Sequence, residues 1–190
     1  MVSIAGPAAM FTRRFFTTSA APFLMIGGTE DAIVDFETHA AIIPERAPQG
    51  TLLAIRDGSH VAFADPAEPA MRFMPHPDNL GCMALTAAGV ASTDGASEGD
   101  GEAEAAAAEN PFLGLGDFAD GINPQATMVE ICTRPLGEAL HPGRQQLITT
   151  VGVLSFFASH FALEEDERRA ARELLQLEIA EDFPEVSIHL

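Results

Sequence analysis

A chain of 190 residues, 47% of them apolar, can bury one real hydrophobic core. Its formal net charge is −18 and all ten basic residues are arginine, with no lysine, so the surface should repel nucleic acid and anionic membranes and neither is expected as a partner. No apolar run is long enough to span a bilayer, and "MVSIAGPAAMFTRR" places its arginines after its apolar residues, the reverse of a secretory signal, which leaves a soluble acidic protein whose compartment stays open, export included.

In chain order, "VSIA" (2–5) is a short apolar run stopped by Gly6-Pro7 and predicts a buried strand. Residues 8–18 fit either a helix or irregular chain. "PFLMI" (22–26) predicts a second buried strand, and "DFETHAAII" (35–43) a helix that stops before Pro44. "GTLLAI" (50–55) predicts a third strand, ended by "RDGSH". Apolar strands alternating with helical segments point to α/β architecture, a parallel sheet with helices on its faces.

From Asp65 to about Pro142 prolines, glycines and small residues dominate, and the region reads as an irregular insertion. Within it, "ASTDGASEGDGEAEAAAAEN" (91–110) has almost no large apolar side chains and is expected to be a mobile acidic loop. Order returns at Arg144. Leu147, Val151, Leu154, Ala158 and Phe161 recur at helical spacing over 144–162, and a second helix over about 164–180 opens on "EEDE". The chain thus divides into a core at 1–64, the insertion at 65–142 and two terminal helices in 143–190. Cys82 and Cys132 are too far apart for a CxxC motif; a disulfide and two separate buried thiols both remain open.

Functional residues of parallel sheets gather at the carboxyl ends of strands. Here "GGTED" follows the second strand and "RDGSH" the third, so Glu30 or Asp31 and His60 would emerge side by side if those strands are neighbours. A carboxylate beside an imidazole fixes its tautomer and stabilises the imidazolium formed during proton transfer. The other histidines, His39, His76, His141, His160 and His189, have no zinc-site spacing, so no metal is expected, and nothing points to a cofactor.

The segment from Val2 to about Asp65 resembles the last third of an α/β-hydrolase, closest to the dienelactone-hydrolase and platelet-activating-factor-acetylhydrolase-like group. "PFLMIGGTEDAIV" is similar to the family's segment bearing the triad acid, and "GSHVAF" to the one bearing the triad histidine. The resemblance implies that Asp31 is the acid and His60 the base, in the family's order of acid before histidine. Glu30 is then a solvated neighbour. It also implies a sheet of about three parallel strands with flanking helices, a lid-like insertion and two terminal helices, and a carboxylic-ester hydrolase of Ser–Asp–His type acting on a small-molecule ester.

The family's nucleophile motif, G-x-S-x-G, is absent from the 190 residues, and neither Ser59 nor the two cysteines stands in a suitable context. The chain is therefore expected to be the C-terminal part of such a hydrolase, inactive alone, with an upstream segment or a partner chain supplying the nucleophile. The alternatives are a non-catalytic interaction protein built on a hydrolase half-fold and one subunit of a split hydrolase.

Overall fold

The structure is a computed structural model that describes residues 1–88, 118–120 and 131–190. One open sheet has the order β1-β2-β3-β4. β1 (Val2–Ile4), β2 (Phe23–Gly28) and β3 (Gly50–Ile55) run parallel, and β4 (Val186–His189) lies antiparallel to β3. The protein is thus mixed α/β with a mostly parallel sheet.

β2, and β3 apart from Thr51, are apolar because both sheet faces are covered. Side chains alternate: Phe23, Met25, Leu52 and Ala54 meet Phe16 of α1 (Arg13–Thr18), Ala40, and Ile43 of α3 (Ile43–Arg46). Leu24, Ile26, Leu53 and Ile55 meet Ile148 and Phe156 of α6 (Pro142–Phe161), and Leu175 and Ile179 beyond it. Each such burial contributes roughly 1.5–3 kcal/mol.

α1 is capped by Thr12, whose Oγ1 accepts the Phe15 N–H at 3.1 Å, and α2 (Phe36–His39) by Asp35, whose Oδ1 accepts the Thr38 N–H at 2.8 Å. The helix expected at 35–43 is instead two short helices. The chain turns after His39 and α3 takes Pro44 into its first turn, where a missing N–H leaves no bond unmade.

The same effect corrects the first part of the region read as irregular, over 66–87. Pro66 precedes α4 (Ala67–Met71) and Pro77 precedes α5 (Asp78–Ala87), so prolines that read as breakers start helices. The acidic stretch 91–110 lies outside the described residues. After α7 (Glu165–Glu173) the helical path continues through a π turn at Leu174–Glu178 into α8 (Ile179–Asp182), and the two expected terminal helices are followed by β4, which extends the sheet.

α6 presents a different face from the one its leucines suggest. Gln145, Ile148, Gly152, Ser155, Phe156 and Ser159 are buried, while Leu147, Leu154 and Phe161 are 50%, 63% and 73% exposed. Small residues let the helix approach: a Cβ on Gly152 would lie 2.5 Å from Leu53 Cδ1. The buried Ser159 hydroxyl donates to Phe156 O within the helix at 2.7 Å, so its burial leaves no bond unmade.

Of the two states left open for the cysteines, the structure holds the disulfide, joining Cys82 of α5 to Cys132 across a sequence separation of 50. Closing a loop of that length removes chain entropy from the unfolded state, worth about 4 kcal/mol. Reduction, or paired Cys82→Ser and Cys132→Ser substitution, should lower the unfolding free energy by an amount of that order. Urea unfolding with and without reductant checks it; coincident curves would contradict it.

Candidate functional site

The site sits at the carboxyl ends of β2 and β3. Their register sets Gly28 opposite Ile55, so both turns leave the sheet at one level. The turns then touch through backbone: Thr29 N–H donates to Ile55 O at 3.0 Å and Glu30 N–H to Gly58 O at 2.8 Å. Glycine is required here, because a Cβ on Gly28 would fall 2.3 Å from Gly58 O.

This contact brings Asp31 and His60 together. Asp31 is 2% exposed, and its Oδ2 lies 2.9 Å from His60 Nδ1. Its Oδ1 accepts the N–H groups of Ile33 at 2.9 Å and Val34 at 2.7 Å, so the carboxylate is fixed by its own turn before it meets the ring. The imidazole is partly exposed. With Nδ1–H committed to Asp31, Nε2 of the neutral ring is an acceptor, and no described residue hydrogen-bonds it.

Burial is the largest influence on His60 and disfavours its charged form. The hydrogen bond to Asp31, Asp31's charge and the charge of Asp78 together outweigh it and raise the ring's pKa above its ordinary 6.5. Glu30 is not free in solvent as expected. Its carboxylate pairs with Arg134 at 3.1 Å, and the same guanidinium donates to Thr29 O at 3.3 Å. Adjacent acids in one turn therefore face different partners, Asp31 the imidazole of His60 and Glu30 the guanidinium of Arg134.

Three further residues hold the site and carried no sequence signal. Asp78, fully buried at the start of α5, accepts N–H groups from Ala32 at 2.9 Å, His60 at 3.0 Å and Val61 at 2.7 Å. Gln145 of α6 brackets Ser59: its Oε1 accepts the Ser59 N–H at 3.0 Å and its Nε2 donates to Ser59 O at 2.7 Å. Arg134 is the third. Their partners are 86 or more residues away for Gln145 and Arg134, and at least 17 for Asp78, distances at which no local pattern exists.

The remaining histidines do other work. His39 Nδ1 accepts the Ala9 N–H at 3.1 Å, and burial lowers its pKa. His141 caps α6, accepting the Gly143 N–H at 3.1 Å, and His76 Nδ1 accepts the Asp78 N–H at 3.3 Å. His160 stacks edge-on against Phe156 and His189 lies 3.2 Å from the Ser187 hydroxyl. Among the described residues no group of three or more His, Cys, Asp or Glu side chains is arranged to hold a metal ion, and no helix is long and apolar enough to cross a membrane.

No protein-family model matches the chain, and neither the curated proteins nor the solved structures yield a match.

Because the ring's pKa is raised on folding, its protonation favours the folded state. That contribution is fully present below the ordinary value of 6.5 and is lost as pH rises through the folded value. The stability advantage of the native chain over His60→Gln should thus be greatest at mildly acid pH and shrink toward alkaline pH. Chemical unfolding of both proteins across this range tests it, and an advantage that grows with pH would refute it.

Proposed function

We propose that the chain is the acid-and-histidine part of an α/β-hydrolase-type carboxylic-ester hydrolase, with the nucleophile delivered by a segment that pairs with β1. The observation that carries this reading is the 2.9 Å bond between His60 Nδ1 and a buried, doubly anchored Asp31, at the carboxyl ends of adjacent parallel strands, with Nε2 left unbonded among the described residues. In this role Nε2 accepts the nucleophile's proton as the ester carbonyl is attacked and returns it to the leaving alcohol. Asp31 holds the tautomer and stabilises the imidazolium without taking the proton itself.

The sheet edge supports the same reading. Among the described residues no strand pairs with the outer side of β1. Met1, Phe11 and Phe15 line a groove on one face of that edge; Ile4, Phe63, Val153 and Leu154 line one on the other, with Asp65 at its rim. An open apolar edge is a template for strand addition. None of the 28 acidic residues falls within 1–29 or 139–163, the segments that supply β1, α1 and α6. A chain so acidic, with an apolar, acid-poor flank on both sides of the outer edge of β1, is suited to covering by another polypeptide segment. The same flank supports a second reading, a non-catalytic interaction protein, in which the Asp31–His60 pair is only a structural bond.

The chain by itself should show no ester turnover that depends on His60, since the nucleophile and oxyanion donors carry most of such a rate. Hydrolysis of a p-nitrophenyl ester by the 190-residue chain, abolished by His60→Ala, would overturn this. Once the nucleophile-bearing segment is joined to it or bound by it, Asp31→Asn should lower kcat about 10⁴-fold, the size known for amidating the aspartate of the serine-protease triad. Glu30→Gln, which removes only the pair with Arg134, should change kcat less than about tenfold. Two substitutions of equal effect would dismiss the assignment of Asp31. Tight association with no turnover of any ester would favour the interaction protein.

A further inference from the structure

We propose that Asp78 is a positioning residue for the acid–histidine pair: one buried carboxylate ties the turn that carries Asp31 to the turn that carries His60 and so fixes the ring against Asp31 Oδ2. Oδ2 of Asp78 accepts from Ala32, the residue after the acid, and from His60 itself, while Oδ1 accepts from Val61. These N–H groups have no other partner within a strand or helix: two lie in turns, and Val61 opens a short 3-10 helix whose first N–H has no intrahelical acceptor. The carboxylate is thus a common acceptor for two loops that are also joined by backbone contacts near Gly28 and Gly58, by the Asp57 N–H on Thr29 Oγ1 and by the Asp31–His60 bond itself.

Packing points to the same junction independently. Gly81, one turn along α5, faces both loops, because a Cβ there would lie 2.7 Å from Val61 Cγ2 and 3.0 Å from Ile33 Cδ1. The small residue lets the helix seat between the two turns. Cys82 follows it, and the N–H of its disulfide partner Cys132 donates to Ala32 O at 2.9 Å. Ala32 is consequently held by its N–H from Asp78 and by its carbonyl from Cys132. The helix that carries Asp78 is covalently linked to the segment that holds the other side of the acid turn.

The titratable groups acting on the ring are Asp31 from the β2 turn and Asp78 from α5. His76 stands behind Asp78, with Nδ1 on its backbone N–H, and Glu30 is paired to Arg134 on the far side of the acid turn. Removing charge from Asp78 while keeping its shape should thus weaken the ring's hold on a proton and loosen its seat. This deepens the acid–histidine reading and rests on it for functional meaning, but its readout needs no turnover.

The test is proton NMR titration of His60 in the native chain, Asp78→Asn and Glu30→Gln. The amide can accept with one oxygen only, so Asp78→Asn should lower the His60 pKa by about half a unit or more. Glu30→Gln, already neutralised by Arg134, should move it by less than about 0.2. A folded Asp78→Asn protein whose His60 titrates as in the native chain overturns the proposal. Should that variant not fold, amide exchange in the native chain decides: the N–H groups of Ala32, His60 and Val61 should all exchange slowly despite lying at loop positions. Rapid exchange of any two overturns the proposal. A lowered pKa in a protein that, with its nucleophile segment, turns over no ester supports the positioning role and removes the hydrolase reading alone.

Discussion

The register of β2 against β3 is the constraint on which the site depends. Leu24 and Ile26 share a face with Leu53 and Ile55, and Phe23 and Met25 share the opposite face with Leu52 and Ala54. A slip of one residue would turn each apolar set onto the wrong helices, so burial on both faces makes the pairing unique. The same pairing puts Gly28 level with Ile55, from which the two turns leave at one height. The geometry of Asp31 and His60 is in this sense a by-product of core packing. The placement of the acid–histidine pair at the sheet's end is obtained from hydrophobic alternation several residues away, and the two glycines then let the loops close the last few ångströms.

Charge is distributed as unevenly as the burial. Acids crowd the start of α7, where Glu165 holds Arg168 and Arg172, and such exposed pairs contribute little to stability. The net charge of −18 opposes self-association by repulsion. The flank formed by β1, α1 and α6 has no such protection, and it is there that Leu154, Phe161 and Phe15 stand exposed. The acids of α7 and the exposed apolar side chains of α1 and α6 thus lie on different elements.

What can be read from the sequence follows physical range. The three parallel strands are legible because a short, unbroken apolar run bounded by turn residues is what a strand covered on both faces requires, and Gly50–Ile55 matches its expected span. The site turns are legible for the same reason: they are whatever follows those strands. β4 is not, because "VSIH" is four residues long and its pairing with β3 is set by the fold. The buried face of α6 escapes a reading by leucine periodicity, which reports where apolar side chains lie, whereas a helix lying close to a sheet needs small residues such as Gly152 there. Asp78 looks like one more acid among many. Its role comes from three N–H groups that only the folded chain assembles, and the two short helices around it are concealed by prolines at their starts.

The bond between Cys82 and Cys132 has a topological consequence. It makes the intervening stretch a covalent ring whose two ends are both anchored at the acid turn, one through Asp78 on α5 and the other through the Cys132 N–H on Ala32. A single peptide-bond cleavage anywhere inside that ring opens it without dividing the molecule. The β1–β3 half and the α6–β4 half would stay linked through sulfur as a two-chain protein, held to the same sheet by β3 and β4. Such a nick would pass unseen by size under oxidising conditions and appear as two fragments only after a thiol is added. The length and composition of the ring are thereby released from the requirement of chain integrity that binds every other connection in the fold.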